Sequence, residues 1–162
     1  VVVIARVPSY LSGDLATLEP DLITGVTDQL TRELIRTIPA NEVIDWIDER
    51  GTSDDVGAAA EKFGVDYVIH IELAMFENLE DKTPWLHRGR SAGTVSAYKV
   101  ETIKGKKVSR LVFDRGFDER HPRRQPVAVG EVSRTVFSRR HLDQLTGDLA
   151  RKFHAHLPGA GI

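Results

Sequence analysis

His70 and Glu72 are the residues whose types and spacing first suggest chemistry in this sequence. They stand two positions apart in EKFGVDYVIHIELAMF, residues 61–76. Side chains at i and i+2 of a strand point to the same side, about 7 Å apart, as the ligands of a metal ion or an acid–base pair would. A metal ion needs further ligands, and His87 is the conceivable third one. Nothing in the pattern demands it, so we interpret the pair as the solvated face of a strand and predict no metal site.

Other patterns associated with catalysis are incomplete. The serine of GRSAG, residues 89–93, opens a predicted strand instead of a strand-to-helix elbow, and KGKK, residues 104–107, lacks the longer frame of a phosphate-binding loop. His154 and His156 diverge by about 200° on a helix and do not converge on one ion. The sequence has no cysteine, which excludes thiol nucleophiles and disulfides. We therefore predict no catalytic residues, no cofactor and no enzymatic activity.

The arginine-rich second half suggests a contact surface. The loop RHPRRQ, residues 120–125, carries three arginines. Trp85 stands close in sequence to Arg88 and Arg90, and a tryptophan beside arginines is a composition typical of protein-binding hot spots. Two alternatives stay open for Trp85, which either projects from its turn or packs back onto the core. Phosphate contacts by the arginines are the competing function, a nucleic-acid or anionic-ligand module. The predicted contact residues are Trp85, Arg88, Arg90, Tyr98, Arg110, Arg120, Arg123 and Arg124.

Composition indicates one globular domain over residues 1–162. The chain is 41% hydrophobic and 28% charged, with no apolar run long enough for a membrane helix. Residues 1–81 hold 5 Lys/Arg and 17 Asp/Glu, a net charge of −12, which leaves 17 Lys/Arg and 7 Asp/Glu, a net charge of +10, for residues 82–162. The simplest interpretation is that the two halves interleave in one fold and neutralise each other, and head-to-tail association is the alternative.

Hydrophobic periodicity predicts the elements that position these residues. The predicted strands are 1–7, 41–47, 65–76, 91–103 and 106–118, and the predicted helices are 21–38, 53–64 and 132–157. Ser53 is the expected N-cap and Gly64 the expected C-cap of the second helix. The order β-α-β-α-β-β-β-α predicts an α/β two-layer sandwich, a mixed five-stranded sheet with three helices on one face and strand order 2-1-3-4-5. The opposite face should show His70, Glu72, Thr94, Ser96, Tyr98, Arg110 and Asp114.

Several segments resemble a family of bacterial envelope proteins. These are the first strand VVVIARV, the helix segment TDQLTREL (residues 27–34), the helix-to-strand segment AAEKFGVDYVIHIEL (residues 59–73) and the hairpin VSAYKVETIKGKKVSRLVF (residues 95–113). The family includes the amino-terminal domain of the Tol-system propeller protein, the curli-secretion lipoprotein and the lipoproteins that activate penicillin-binding proteins. The chain departs from that pattern at the hairpin tip, which lacks Thr-Gly followed by an aromatic residue, and in the long loop 118–131.

The resemblance implies an accessory or assembly role in the cell envelope. It implies a periplasmic, non-catalytic domain that works through contacts with another envelope protein or with itself. It also implies attachment to a membrane only through a lipidated cysteine upstream of Val1. None of these properties follows from composition or spacing. Nucleic acid is not the expected partner, because aromatic residues are not interleaved with the arginines.

Overall fold

The computed structural model describes residues 1–11, 17–52, 55–80 and 83–154 and confirms the α/β class. A mixed five-stranded sheet is combined with four α-helices, one more than predicted. The strands are β1 (Val2–Arg6), β2 (Tyr67–Glu80), β3 (Thr83–Ile103), β4 (Lys106–His121) and β5 (Val127–Ala128). The α-helices are α1 (Leu18–Arg32), α2 (Ala40–Arg50), α3 (Val56–Phe63) and α4 (Arg134–His154), and a short 3-10 helix spans Ser9–Leu11.

The sheet runs in the order β1-β2-β3-β4, with β5 beside the outer part of β3. β1 is parallel to β2, as predicted for the strands at 1–7 and 65–76, and the remaining pairs are antiparallel. The predicted order 2-1-3-4-5 is wrong. It placed a strand outside β1, whereas β1 is the end strand of the sheet.

The segment predicted as the outermost strand forms helix α2 instead. The segment 41–47 was predicted as a strand, but Val43 and Ile47 lie one helical turn apart and are both buried. Pro39 occupies the N-cap position, and Gly51 closes the helix in the left-handed conformation with φ 72°. The apolar positions of this seven-residue segment fit both the strand and the helix periodicity, so the flanking proline and glycine decide in favour of the helix.

The ends of two other helices also differ from prediction. α1 ends at Arg32 instead of continuing to residue 38, and Leu34 beyond it has φ 62°. Asp55 is the N-cap of α3, and its carboxylate accepts a hydrogen bond of 2.8 Å from the backbone N–H of Ala58. The predicted cap Ser53 lies outside the described residues. Gly64 ends α3 with φ 59°, as predicted.

The second half of the sheet is longer than predicted. Segment 77–90, predicted as a turn region, belongs to β2 and β3 on either side of residues 81–82, and the first part of the predicted loop 118–131 belongs to β4. β3 has 21 residues and β4 has 16. Local composition predicted turns there because the segments are polar, but cross-strand pairing keeps them extended. The predicted hairpin at Gly105 is confirmed.

The core draws on both halves of the chain. Val2, Val3, Ile4 and Ala5 are all buried, so both faces of β1 are covered. α1 contributes Leu22 and Val26, and α4 contributes Leu145, Leu149 and Phe153. α4 packs against α1 and against β2, β3 and β4. We call the end of the sheet that carries Phe76 of β2, Gly89 of β3 and His121 of β4 the distal end, and α4 forms the site described next there.

Candidate functional site

His141 of α4 inserts between two strands at the distal end of the sheet. Its ring stacks on Phe76 of β2 at 4.2 Å between centroids, and the ring of His121 of β4 lies parallel on the other side at 6.4 Å. Gly89 of β3 lies beneath, where a Cβ atom would overlap the His141 ring. The helix therefore sits close to the sheet because position 89 carries no side chain.

One hydrogen-bonded chain fixes the protonation of His141. Asn78 donates from Nδ2 to the Ser138 hydroxyl at 2.7 Å, which leaves Oδ1 to accept a hydrogen bond of 2.9 Å from Nδ1 of His141. Burial, followed by the nearby His121 ring, lowers the pKa of His141 to about 3. The imidazole is therefore neutral at physiological pH, with its proton on Nδ1.

His87 is a second buried histidine in the same layer. Its Nε2 lies 3.2 Å from the carbonyl oxygen of Val132 and donates to it, and its ring stacks on Phe137 at 4.7 Å. Burial also lowers the pKa of His121, and Asp148 opposes that effect. We call His87, His121 and His141 the histidine layer. Its aromatic stacking joins α4 to the sheet.

A narrow polar cavity borders the histidine layer. Its volume is about 10 Å³, near the minimum needed to hold a single water molecule. Asp148, only 8% exposed, forms an ion pair with Arg151 and accepts a hydrogen bond of 3.1 Å from Gln144. In the described ranges, no three His, Asp or Glu side chains converge as ligands of a metal ion. The arrangement fixes the positions of charged and hydrogen-bonding side chains, but the cavity is too small for an organic substrate.

Arginines collect on the surface at the same distal end. Arg90 of β3 lies directly opposite Arg120 of β4, and Asp118 relieves the repulsion because Arg90 donates to it twice, at 3.2 and 3.0 Å. The hydrogen bond from Arg90 lowers the pKa of Asp118. Arg88 donates to the carbonyl oxygen of Arg123 at 3.0 Å, which ties the segment after β4 to β3.

Trp85 is exposed at the same end of the sheet. Its side chain is 74% accessible, so it does not pack back onto the core. It lies in β3 instead of a turn, and its carbonyl oxygen accepts a hydrogen bond of 2.9 Å from the N–H of Val129, just after β5. Val129 is itself 41% exposed. The exposed residues at this end of the sheet lie on both of its faces, Trp85 and Val129 on one and Arg88, Arg90 and Arg120 on the other. Together with Arg123 and Arg124 after β4, we name them the distal surface.

Two predicted contact residues lie elsewhere. Tyr98 is eight residues from Arg90 along β3, roughly 26 Å away. A register shift places Leu111 opposite Tyr98 and Arg110 opposite Lys99, so Arg110 is on the other face of the sheet from the one predicted. Arg110 pairs with Glu101 at 3.2 Å. The predicted set therefore divides into a distal group of six and this separated pair.

The structure also shows the surroundings of His70 and Glu72. His70 lies opposite Ser96, nine residues and roughly 30 Å along β3 from His87, so the three conceivable metal ligands are not brought together. Glu72 is exposed, as predicted for a solvated strand face, whereas His70 is half-buried. The Ser96 hydroxyl is buried on this face and donates to Asp114 at 2.7 Å.

Sequence analysis missed the histidine layer and the distal polar network. Their residues come from β2, β3, β4 and α4. His141 and Asn78, for example, are more than 60 residues apart in sequence. No spacing rule connects them. The signal available in the sequence was the polar character of α4 positions that the helical periodicity assigns to the sheet side, such as His141 and Ser138.

A larger concavity lies at the other end of the molecule. Its volume is about 460 Å³, and residues 34–38 and 63–67 line it together with Val1. Arg36 and Asp66 are the charged residues of this lining, and the other lining groups are mainly apolar side chains and backbone. The lining offers no pairing of a nucleophile with a base.

Solved structures similar to this chain include a bacterial lipoprotein. No protein-family model and no curated protein match this chain. Lipoprotein GNA1162 from Neisseria meningitidis is similar in structure with a TM-score of 0.44 at 10% sequence identity, over 95% of this chain and 93% of that one. In the described part of the chain, none of the helices combines the length and hydropathy of a membrane span.

Proposed function

We propose that this domain is an accessory or assembly module that binds another protein through the distal surface. The observation that carries the proposal is Trp85, a large apolar side chain that is 74% exposed on β3, the strand that also carries Arg88 and Arg90 on its other face. Burying such a side chain in water-free contact yields several times the free energy of an average contact residue. The surrounding arginines offer planar donors to an acidic or carbonyl-rich partner.

The rigidity of the surface supports the proposal. Arg90 is held by Asp118, and Arg88 is anchored on the Arg123 carbonyl, so these side chains lose little freedom on binding. The histidine layer beneath holds β3, β4 and α4 together. The sequence resemblance supports placing the module in the bacterial envelope, in the periplasm, with a lipid anchor upstream of Val1.

A nucleic-acid or anionic-ligand module is the second candidate. Arg90 and Arg120 lie side by side, and Arg123 and Arg124 are exposed after β4, which suits phosphate oxygens. Against it, Trp85 is the only aromatic residue of the distal surface, whereas single-stranded nucleic acid is usually held by several stacking platforms. Salt dependence separates the two candidates, because phosphate contacts weaken steeply with added salt.

The test is capture from envelope and cytosolic extracts with three purified proteins. They are wild type, the distal double variant Trp85→Ala/Arg88→Ala, and a matched control, Ile103→Ala/Lys106→Ala, at the exposed hairpin end. We expect one envelope protein to be retained by wild type and control and reduced at least about tenfold by the distal variant. Equal capture by all three contradicts the proposal, and a nucleic acid released by salt selects the second candidate.

A further inference from the structure

The outer edge of β4 is a long unpaired strand edge. β4 is the last strand of the sheet path and pairs only with β3 among the described residues. Its one register shift lies near Leu111, so Phe113–His121 pairs with β3 without interruption. Proteins usually cover or distort such edges, because the free N–H and C=O groups accept another strand. The regular nine-residue segment therefore presents a template for strand addition.

Among the described residues, nothing around Gly116, at the middle of this segment, requires glycine. A Cβ atom built there would meet only the Gly93 carbonyl oxygen, at an ordinary contact distance of 3.8 Å. Its φ is not among the positive values that favour glycine. A glycine within a strand often marks the close approach of another backbone. None of the described residues approaches Gly116 more closely than the Gly93 carbonyl oxygen, which leaves room for the backbone of a second chain.

The charges of the segment are complementary to their own reversed order. In a two-fold symmetric antiparallel pair, one residue faces its own copy, and residues equally far before and after it face each other. With Phe117 at the centre, Asp114 faces Arg120 and Arg115 faces Glu119. Both pairs occur twice by symmetry, which gives four opposite-charge pairs across the edge.

Neighbouring registers lack this complementarity. With Gly116 at the centre, Asp114 faces Asp118, and with Asp118 or Arg115 at the centre the charged residue faces itself. Like charges directly opposite each other destabilise a strand pair. Charge thus favours the Phe117 register over its immediate alternatives.

We propose that two copies of this chain associate through their β4 edges, antiparallel about Phe117, to form one continuous sheet. Backbone hydrogen bonds between Phe113–His121 of the two copies supply the affinity, and the cross-edge charges select the register. The in-chain contacts are compatible with this pairing. Asp114 accepts one hydrogen bond from Ser96, and Glu119 lies 3.5 Å from Lys152, so each carboxylate retains acceptor capacity.

This inference shares Arg120 with the proposed partner surface but does not depend on the proposed function. Pairing uses the backbone edge of β4, whereas Trp85 lies on β3. Self-association is measured on the purified chain alone, so either proposal can fail without the other. A second copy of the chain supplies a strand that can hydrogen-bond to the free edge of β4, and its charges match those of that edge.

Charge reversal tests the pairing. Asp114→Arg and Arg120→Asp each place two like-charge pairs across the edge, and we expect each to raise the dimer dissociation constant about tenfold in sedimentation equilibrium. The double variant Asp114→Arg/Arg120→Asp restores opposite charges and should return the constant to near the wild-type value. A monomeric wild-type chain at millimolar concentration overturns the proposal, as does a double variant that is not rescued.

Cysteine crosslinking tests the register. The chain has no cysteine, so introduced thiols report only on their own positions. In the Phe117 register, position 116 of one copy faces position 118 of the other, close enough for a disulfide. A mixture of Gly116→Cys and Asp118→Cys proteins should therefore crosslink faster than either alone. Faster crosslinking in a mixture of Asp114→Cys and Asp118→Cys proteins would overturn the register.

Discussion

At the scale of single residues, His141 shows how a polar side chain serves as a core residue. It is 1% exposed, and its ring has an aromatic neighbour on each side and a glycine below. Its Nδ1 proton is committed to Asn78. The same ring would be costly to charge, because a buried imidazolium loses its hydration.

This cost makes stability depend on pH. The pKa of His141 is about 3 when folded and about 6.5 in an unfolded chain, so between these values only the unfolded chain binds the proton. The free energy of unfolding should therefore fall as pH drops below 6.5, by up to about 1.4 kcal/mol per pH unit. His121, with its lowered pKa, adds a change of the same sign.

Urea unfolding at pH 6.5 and pH 4.5 measures this effect. We expect His141→Gln to be less stable than wild type at pH 6.5 but to lose about 2 kcal/mol less on acidification. An unchanged pH dependence in His141→Gln would show that this imidazole titrates normally in the folded chain.

At the scale of elements, α1 and α4 approach closely at one point. A Cβ atom at Gly25 of α1 would lie 2.5 Å from Cγ2 of Thr146 of α4, a distance at which one helix must shift. Thr146 is buried and donates to the Asp143 carbonyl at 3.1 Å, so it has little freedom to move. Glycine at position 25 lowers helix propensity but permits this contact.

Substitutions at the two positions should therefore be coupled. Gly25→Ala gains up to about 1 kcal/mol in helix propensity but is expected to destabilise the protein through overpacking against Thr146. Adding Thr146→Ala removes the nearest methyl group and should recover part of the loss, with a coupling energy of about 0.5–3 kcal/mol in a double-mutant cycle. Additive effects would show that the helices separate freely.

Elements differ in how far the sequence predicts them. Strand β1, the hairpin around Gly105 and the C-cap at Gly64 follow from strong local patterns and are confirmed. Segment 41–47 fits both periodicities, and the polar ends of β2, β3 and β4 owe their extended form to neighbouring strands. The arginines of RHPRRQ and Trp85 were found from composition, but the histidine layer depends on contacts between four elements. Tertiary pairing, which local patterns do not encode, explains both kinds of miss.

At the scale of the whole molecule, the acidic and basic halves share one sheet and one core. β1 and β2 come from residues 1–81, and β3, β4 and β5 come from residues 82–162. Within the sheet, the segment with a net charge of −12 therefore meets the segment with a net charge of +10 where β2 pairs with β3. Arg139 of α4 lies 3.8 Å from Asp21 of α1 and pairs the two halves directly.

Separately produced fragments 1–81 and 82–162 should recognise each other. Each lacks half of the core and should be largely unfolded alone, and mixing should restore the secondary structure measured by circular dichroism. Opposite net charges should make association faster at low salt, with a decrease of about tenfold between 50 mM and 500 mM NaCl. A fragment that folds alone, or a mixture that stays unfolded, contradicts the interleaved core.

The two tryptophans give the molecule a pair of separate optical probes. Trp46 is 8% exposed and packs against Phe63 at 5.5 Å, whereas Trp85 is 74% exposed. Indole emission shifts to shorter wavelength when water is excluded, so Trp46 should emit in the blue and Trp85 in the red. Unfolding changes the first component, whereas a ligand that covers the distal surface changes the second. A single emission spectrum of the unlabelled protein thereby distinguishes loss of the fold from occupation of its exposed tryptophan.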